Sequence, residues 1–266
     1  MLSNVFLKNI RDQRKSFLWW SIGISALVII TMLFYPSFSE TPELDEIFKD
    51  MPETITAMFV GEFSEMTTPE GFLNSQLFFV LYPLLFLFFG IARGSSSISG
   101  EEEKGTLDLL MSYPIKRSML VTQKFAAMVI TILMLAIVLW LDVAIGVIAT
   151  DMDISLWRVW EATLNCALLG VTFGTLALAL SCAKSSRGLS AGLTSALGIG
   201  SYFLNALAPA VEPIEPFQRL SLFYYYIGAD PVTNGLNLGH ASVLVMITLA
   251  SITTALITFE RRDLVT

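Results

Sequence analysis

Residues 125–149 read FAAMVITILMLAIVLWLDVAIGVIA, an unbroken apolar run in which Asp142 is the single charged residue. At about 1.5 Å of rise per residue, a helix of that length reaches about 37 Å. A bilayer has a hydrocarbon core about 30 Å thick, which about 20 apolar residues cross. The run is therefore a membrane span. The rest of the chain has the same character, being 54% hydrophobic and only 15% charged over 266 residues. Ordinary soluble domains carry about 25% charged residues.

Five more segments read as spans: Phe17–Tyr35, Phe72–Ile91, Leu164–Cys182, Leu189–Leu207 and Ala241–Phe259. The last holds several threonines and a serine, which are tolerated in lipid because they bond to their own helix backbone. No linker, low-complexity tract or repeat interrupts the pattern. The expectation is an all-α polytopic membrane protein with six transmembrane helices in one domain covering residues 1–266.

Basic residues set the orientation, because lysine and arginine concentrate in cytoplasmic loops. Lys8, Arg11, Arg14 and Lys15 precede the first span, and Arg93, Lys104, Lys116, Arg117 and Lys124 surround the second loop. Lys184 and Arg187 join spans four and five, and Arg261 and Arg262 follow the sixth. Only Lys49, Arg158 and Arg219 are left for the other face. Both termini are thus expected in the cytoplasm, and every span agrees with that bias. A net charge of −7 excludes the basic footprint of a nucleic-acid binder.

The opposite face is acidic, with nine acids between Glu40 and Glu70 in the first outer loop. Within it, LDEIFKDMPETITAMF (44–59) has loosely helical apolar spacing and suits a short surface helix. Trp19 and Trp20 on the inner side, and Tyr35, Trp157, Trp160 and Tyr224–Tyr226 on the outer, suit interfacial aromatic belts. The first residues, LSNVFLKNIRDQRKS, put Val5, Phe6 and Ile10 near one face with basic residues opposite. That pattern predicts an interfacial N-terminal helix before the chain turns into the membrane. As a signal peptide, the apolar run would be long and lacks an A-x-A-like site.

Several motifs look catalytic but fail on geometry. Gly188-Leu-Ser190-Ala-Gly192 matches G-x-S-x-G, yet His240, the sole histidine, opens the sixth span at the other side of the membrane. A general base must come within about 3 Å of its nucleophile. Small residues at that spacing are better read as a packing face. Gly100-x-x-x-x-Gly105-Thr106 echoes a phosphate loop but lacks its lysine. Cys166 and Cys182, 16 residues apart on one helix, are about 24 Å apart and cannot pair. No cluster of His and Cys suggests a metal.

Asp142, in a span, is either a functional group or an acid that reaches interfacial water. Pro83 and Asn205 join it as candidates for lining a translocation path. For Pro83, and for the glycines of GLTSALGIGSYF (192–203), packing is the plainer alternative. The stretch from Asn205 to Pro231 reads as a non-spanning outer hairpin or short helices.

Between spans two and three lies GEEEKGTLDLLMSYPIKRS, Gly100–Ser118. Its glutamates suit the positive start of a short helix, and Lys116 and Arg117 suit positions beyond its negative end. Leu107, Leu110 and Met111 share one side, and a loop this short offers no core of its own to cover them. The face is therefore expected to dock into a partner's groove.

This peptide resembles the signature of type-2 ABC transporter permeases, a GEEExGTL(D/E)LLL…P(I/V)xR pattern joining the second and third spans. Similar matches run along the chain: KxxRDQR before the first span, FYPSF after it, GFLNSQLF opening the second, LNALAP ending the fifth and FERRDL at the end. The resemblance implies the half-size membrane permease of an ABC exporter, paired with a second permease copy in a homo- or heterodimer. It implies a separate cytoplasmic ABC ATPase carrying the ATP and Mg, so that this chain binds no cofactor and is no enzyme itself. It also implies a multi-pass location in a prokaryotic plasma membrane. The loop after the second span would carry the coupling helix, with Glu101, Glu102, Glu103, Gly105, Thr106, Leu107, Leu110, Pro114 and Arg117 as its matching residues. The alternatives are a non-transporting sensor or scaffold worked by such an ATPase, or an intramembrane enzyme.

Overall fold

A computed structural model describes residues 5–41, 67–112, 115–184, 186–211, 213–228 and 230–262. The expected surface helix at 44–59, together with Lys49, Tyr113 and Pro114, lies outside them. The described residues are mainly helical, with no strand among them. The helices are α1 (Val5–Ser39), α2 (Pro69–Ser97), α3 (Ser99–Glu103), α4 (Leu107–Met111) and α5 (Arg117–Ala149). They continue as α6 (Leu156–Ala183), α7 (Arg187–Leu207), α8 (Leu222–Ile227), α9 (Pro231–Asn234) and α10 (Leu238–Arg261).

Five of these, α1, α2, α5, α6 and α10, are long and apolar enough to cross a membrane. They match the first, second, third, fourth and sixth expected spans. The expected span at 189–207 is a helix too, but six of its residues are Gly or Ser and one is Asn, which lowers its hydropathy.

Local chemistry explains the helix starts. Thr68 caps α2 by accepting the Gly71 N–H at 3.2 Å, and Pro69 fills the first turn, where an N–H has no partner anyway. Asn237 caps α10 by accepting the His240 N–H at 3.1 Å. Inside α2, a π-helical turn at Asn74–Phe78 is followed by Pro83, which supplies no N–H to the ladder. The regular α-helical ladder is interrupted there.

The expected interfacial N-terminal helix is not a separate element. Residues 5–39 form one helix about 52 Å long, well beyond a hydrocarbon core of about 30 Å. No turn separates its basic start from the apolar span. The 33-residue α5 is nearly as long. Val5 near the start of α1 and Leu120 and Val121 near the start of α5 pack with Ile98, Leu107, Leu178, Cys182, Ala255 and Phe259 in a second, smaller core.

The centre of the bundle is α6, which packs against α2, α10, α5 and α7. Its apolar stretch is 72% buried, against 17% for α1, which rests mainly on α5. The α2–α6 crossing is close, and four glycines make it so. A methyl group added to Gly90 would fall on the carbonyl of Gly170, and one added to Gly94 on the carbonyl of Gly174. A methyl group on Gly170 would stand 2.8 Å from the Phe86 carbonyl oxygen. Two G-x-x-x-G pairs thus bring backbones together without intervening side chains. The glycines expected to pack, Gly192 and Gly200, instead face open space, and of that group Gly198 alone meets a neighbour, Leu87.

The segment after α7 forms the expected hairpin of short helices. It folds back over the start of α2: Asn74 Nδ2 donates to Asp230 Oδ1 at 2.6 Å, and Tyr226 Oη donates to the Phe78 carbonyl at 2.7 Å. Tyr226 therefore does not join an interfacial belt; it is buried, with its hydroxyl 2.7 Å from Cys166 Sγ.

Candidate functional site: the glutamate clamp between spans two and three

At the end of the bundle opposite that hairpin, α3 and α4 form a short double turn. Gly105 adopts φ +65° between them, a conformation that glycine takes without a side-chain clash. Thr106 closes the turn, donating its N–H to the Glu101 carbonyl at 2.9 Å and its hydroxyl to Glu101 Oε2 at 2.5 Å.

The three glutamates hold three different partners. Glu101 pairs with Lys124 of α5 at 2.8 Å, and Lys124 is only 3% exposed. Glu102 receives both of its bonds from Arg262, just past α10, at 2.6 and 2.8 Å. Glu103 accepts the backbone N–H of Arg187 at 2.8 Å, an anion placed on the exposed donors at the start of α7. Three adjacent carboxylates thus fasten α3 to α5, to the end of α10 and to α7.

Serines complete the attachment on the fourth side. Ser181 Oγ of α6 accepts the N–H groups of Ile98 and Ser99 at 3.2 and 2.9 Å, and donates to the Ser95 carbonyl at 3.1 Å. Ser99 Oγ donates to the Lys184 carbonyl at 2.8 Å. These bonds satisfy the backbone where α2 gives way to α3.

Electrostatics follow the geometry. Burial pushes the Glu101 carboxyl up, but the Lys124 ammonium and hydrogen bonds from Lys124 and Thr106 outweigh it and hold the group below its ordinary value. Glu101 therefore stays ionised beside its buried partner.

The apolar side of α4 is covered within the chain, contrary to the expectation that it needs a partner's groove. Leu107 and Leu110 are buried, and Leu107 joins the smaller core with Val5, Leu120 and Phe259. That core exists because α1 and α5 extend past the apolar spans, which no local reading of the loop reveals. Arg117 is likewise engaged inward. Its Nη1 donates to the carbonyls of Phe259 (3.3 Å) and Arg262 (2.6 Å), and the guanidinium lies over the Phe259 ring. Lys104, Gly105, Asp108 and Leu109 stay on the surface, and Leu109 is 65% exposed.

The candidate path residues stand on three different helices. Asp142 lies between α5 and α1, accepting the Ser25 hydroxyl at 2.6 Å. Pro83 is buried in α2, and Asn205 is buried near the end of α7, which packs on α2 and α6. Ser190 bonds to the Ser186 carbonyl at the start of α7, while His240 opens α10 against the rings of Tyr224 and Tyr225. Those two lie at opposite ends of the bundle, as expected. Sequence reasoning missed Lys124 and Arg262 as partners of the glutamates, and Ser99 and Ser181 as the latch. Nothing in their local sequence marks them.

Comparison with protein families gives a match over residues 3–264 to the family described as ABC-2 family transporter protein. The chain belongs to the ABC-2 transporter family. Comparison with curated proteins gives no match. Family membership and the five long apolar helices together make this ABC-2 protein a multi-pass membrane component of a transporter.

Proposed function

We propose that the chain is the membrane-spanning permease subunit of an ABC exporter, which works as a dimer and is driven by a separate cytoplasmic ATPase. The observation that carries this reading is the α3–α4 turn. It is fastened to four long helices, yet presents Lys104, Asp108 and Leu109 outward. A rigid knob of that kind passes a push from outside to the whole bundle. ATP and Mg belong to the partner in this reading.

Six spans are supported by parity. The start of α1 and the residue after α10 lie at the α3–α4 end, through the Phe6–Gln123 and Arg262–Glu102 bonds. A chain that begins and ends on one side crosses an even number of times, so α7, about 31 Å long, supplies the crossing missing from the five. The same end carries Lys8, Arg11, Arg14, Lys15, Lys104, Arg117, Arg187 and Arg262, and that excess of basic residues marks it as cytoplasmic. A prokaryotic plasma membrane fits that bias.

A second copy of the chain has a face to meet. Gly192, Ala196 and Gly200 are exposed at every fourth residue on α7, beside Leu193 and Leu197. Small residues on an exposed helix face let another backbone approach closely.

The reading is tested by co-purifying the chain with its cognate ATPase and following ATP hydrolysis. Retention of the ATPase and hydrolysis stimulated by the permease support it. Failure of both overturns it.

A further inference from the structure

The chain's last described residue has more partners than a surface arginine at a helix end requires. Arg262 Nη2 reaches both carboxylate oxygens of Glu102 at 2.6 and 2.8 Å. Its Nη1 reaches the Cys182 carbonyl at the end of α6 at 3.4 Å, and its own carbonyl receives Arg117 of α5 at 2.6 Å. The side chain is 15% exposed. Four elements therefore meet at one residue: α3, α5, α6 and α10.

We infer that Arg262 is a positioning residue for coupling, the clasp through which α10 follows any displacement of the α3–α4 turn. This rests on the permease reading above and adds to it which helix is carried along and by what. Through the backbone, α3 leads to α2 on one side and, by way of α4, to α5 on the other, but not to α10. The ion pair from α3 to the far end of the chain, 160 residues away in sequence, is Glu102–Arg262. Arginine suits the role because its planar fork bonds a carboxylate and a carbonyl in fixed directions, whereas a lysine ammonium has no such fork. The other polar contact of α10 at this level, Arg117 on the α10 carbonyls, ties α10 to α5 and not to α3, and the apolar contact of Phe259 reaches Leu107 of α4 without fixing a direction. Without Arg262, the α3–α4 turn would keep its Glu101 and Glu103 attachments and its ATPase-facing edge, but α10 would meet it only through the apolar packing of Phe259 in the smaller core, with no ion pair to hold the two in register.

Two measurements decide this. Cys166 and Cys182 are buried, so paired spin labels on cysteines introduced at the exposed Asp108 and Glu260 report the α4–α10 distance in the purified chain in lipid, with no ATPase needed. The expected result is one narrow distance in the parent chain, a broadened one in R262A and E102Q, and a narrow one again in the swap E102R/R262E. In complex with the ATPase, unlabelled R262A is expected to co-purify it as the parent does. Couplings of this kind run about 5–150-fold, so permease-stimulated hydrolysis should fall about tenfold, with R262K in between. An unbroadened distance in R262A overturns the clasp. Parent-level stimulation by R262A despite a broadened distance overturns its role in coupling. If the parent chain neither retains nor stimulates the ATPase, it is the permease reading that fails, and the label distances still decide whether the clasp exists.

Discussion

Glu101 Oε1 and Lys124 Nζ lie 2.8 Å apart, with the lysine almost wholly removed from solvent. Taking an ammonium out of water is costly, and the carboxylate offsets that cost only while it is ionised. Glu101→Gln strands the buried charge and should cost about 3 kcal/mol, near the lower end for breaking a buried pair. Thermal unfolding in detergent measures this. Replacing both members, as Glu101→Leu with Lys124→Met, should restore most of the loss, because no charge is then left without a partner.

The same pair predicts an acid limit. Glu101 is held below its ordinary carboxyl value in the folded chain, so the folded state binds its proton less readily than the unfolded state does. Its contribution is therefore complete above the ordinary value, about pH 4.3, and is lost as the pH falls through the lower folded value. Unfolding temperatures followed from pH 6 to pH 3 should fall in the parent. In Glu101→Gln that part of the fall should be missing.

Gly90 and Gly94 meet α6 backbone to backbone, so a methyl group at either has no soft side chain to displace. Overpacking a core costs about 1–3 kcal/mol, and Gly90→Ala should reach at least the top of that range. Gly23→Ala is the control. Open space surrounds Gly23, and the better helix propensity of alanine is worth up to about 1 kcal/mol.

Tyr226 spends its hydroxyl on the Phe78 carbonyl in the π-helical turn of α2. Tyr226→Phe keeps the ring but leaves that buried carbonyl without the donor, at about 1–3 kcal/mol. Limited proteolysis should show the hairpin between α7 and α10 cleaved sooner in the variant, while the α3–α4 end stays resistant.

On the proposed coupling surface, Leu109 stands out from α4 without supporting the core. Leu109→Glu should leave the unfolding temperature within about 1 °C, since surface changes usually stay within about 0.5 kcal/mol. It should also lower permease-stimulated ATP hydrolysis. Leu107→Glu, at a buried site, should lower both. Equal effects at the two positions would remove Leu109 from the docking surface.

The sites differ in how far they could be read from the chain. The run around Asp142 announces a span through its own composition, and Thr68-Pro69 and Asn237 announce helix starts through local bonding. Gly90, Gly94, Gly170 and Gly174 were readable in principle, since two G-x-x-x-G pairs stand inside apolar segments. Gly192 and Gly200 carry the same signal, however, and face open space. Spacing marks a helix face that permits close approach and does not say which neighbour takes it.

Membrane spans, the bias of basic residues to one side and the family signature at Gly100–Ser118 were determined by sequence alone. Each is a property of one segment, summed over neighbouring residues, and hydropathy needs no knowledge of the rest of the fold. Tertiary structure alone decided what the glutamates hold. Lys124, Arg187 and Arg262 lie 23, 84 and 160 residues from their partners in the chain. An ion pair over a few ångströms depends on which helices stand side by side, and that is set by glycine crossings and a core far from the charges. Read locally, the glutamate run looks like a surface offered to a partner. In the folded chain its carboxylates hold neighbouring helices together.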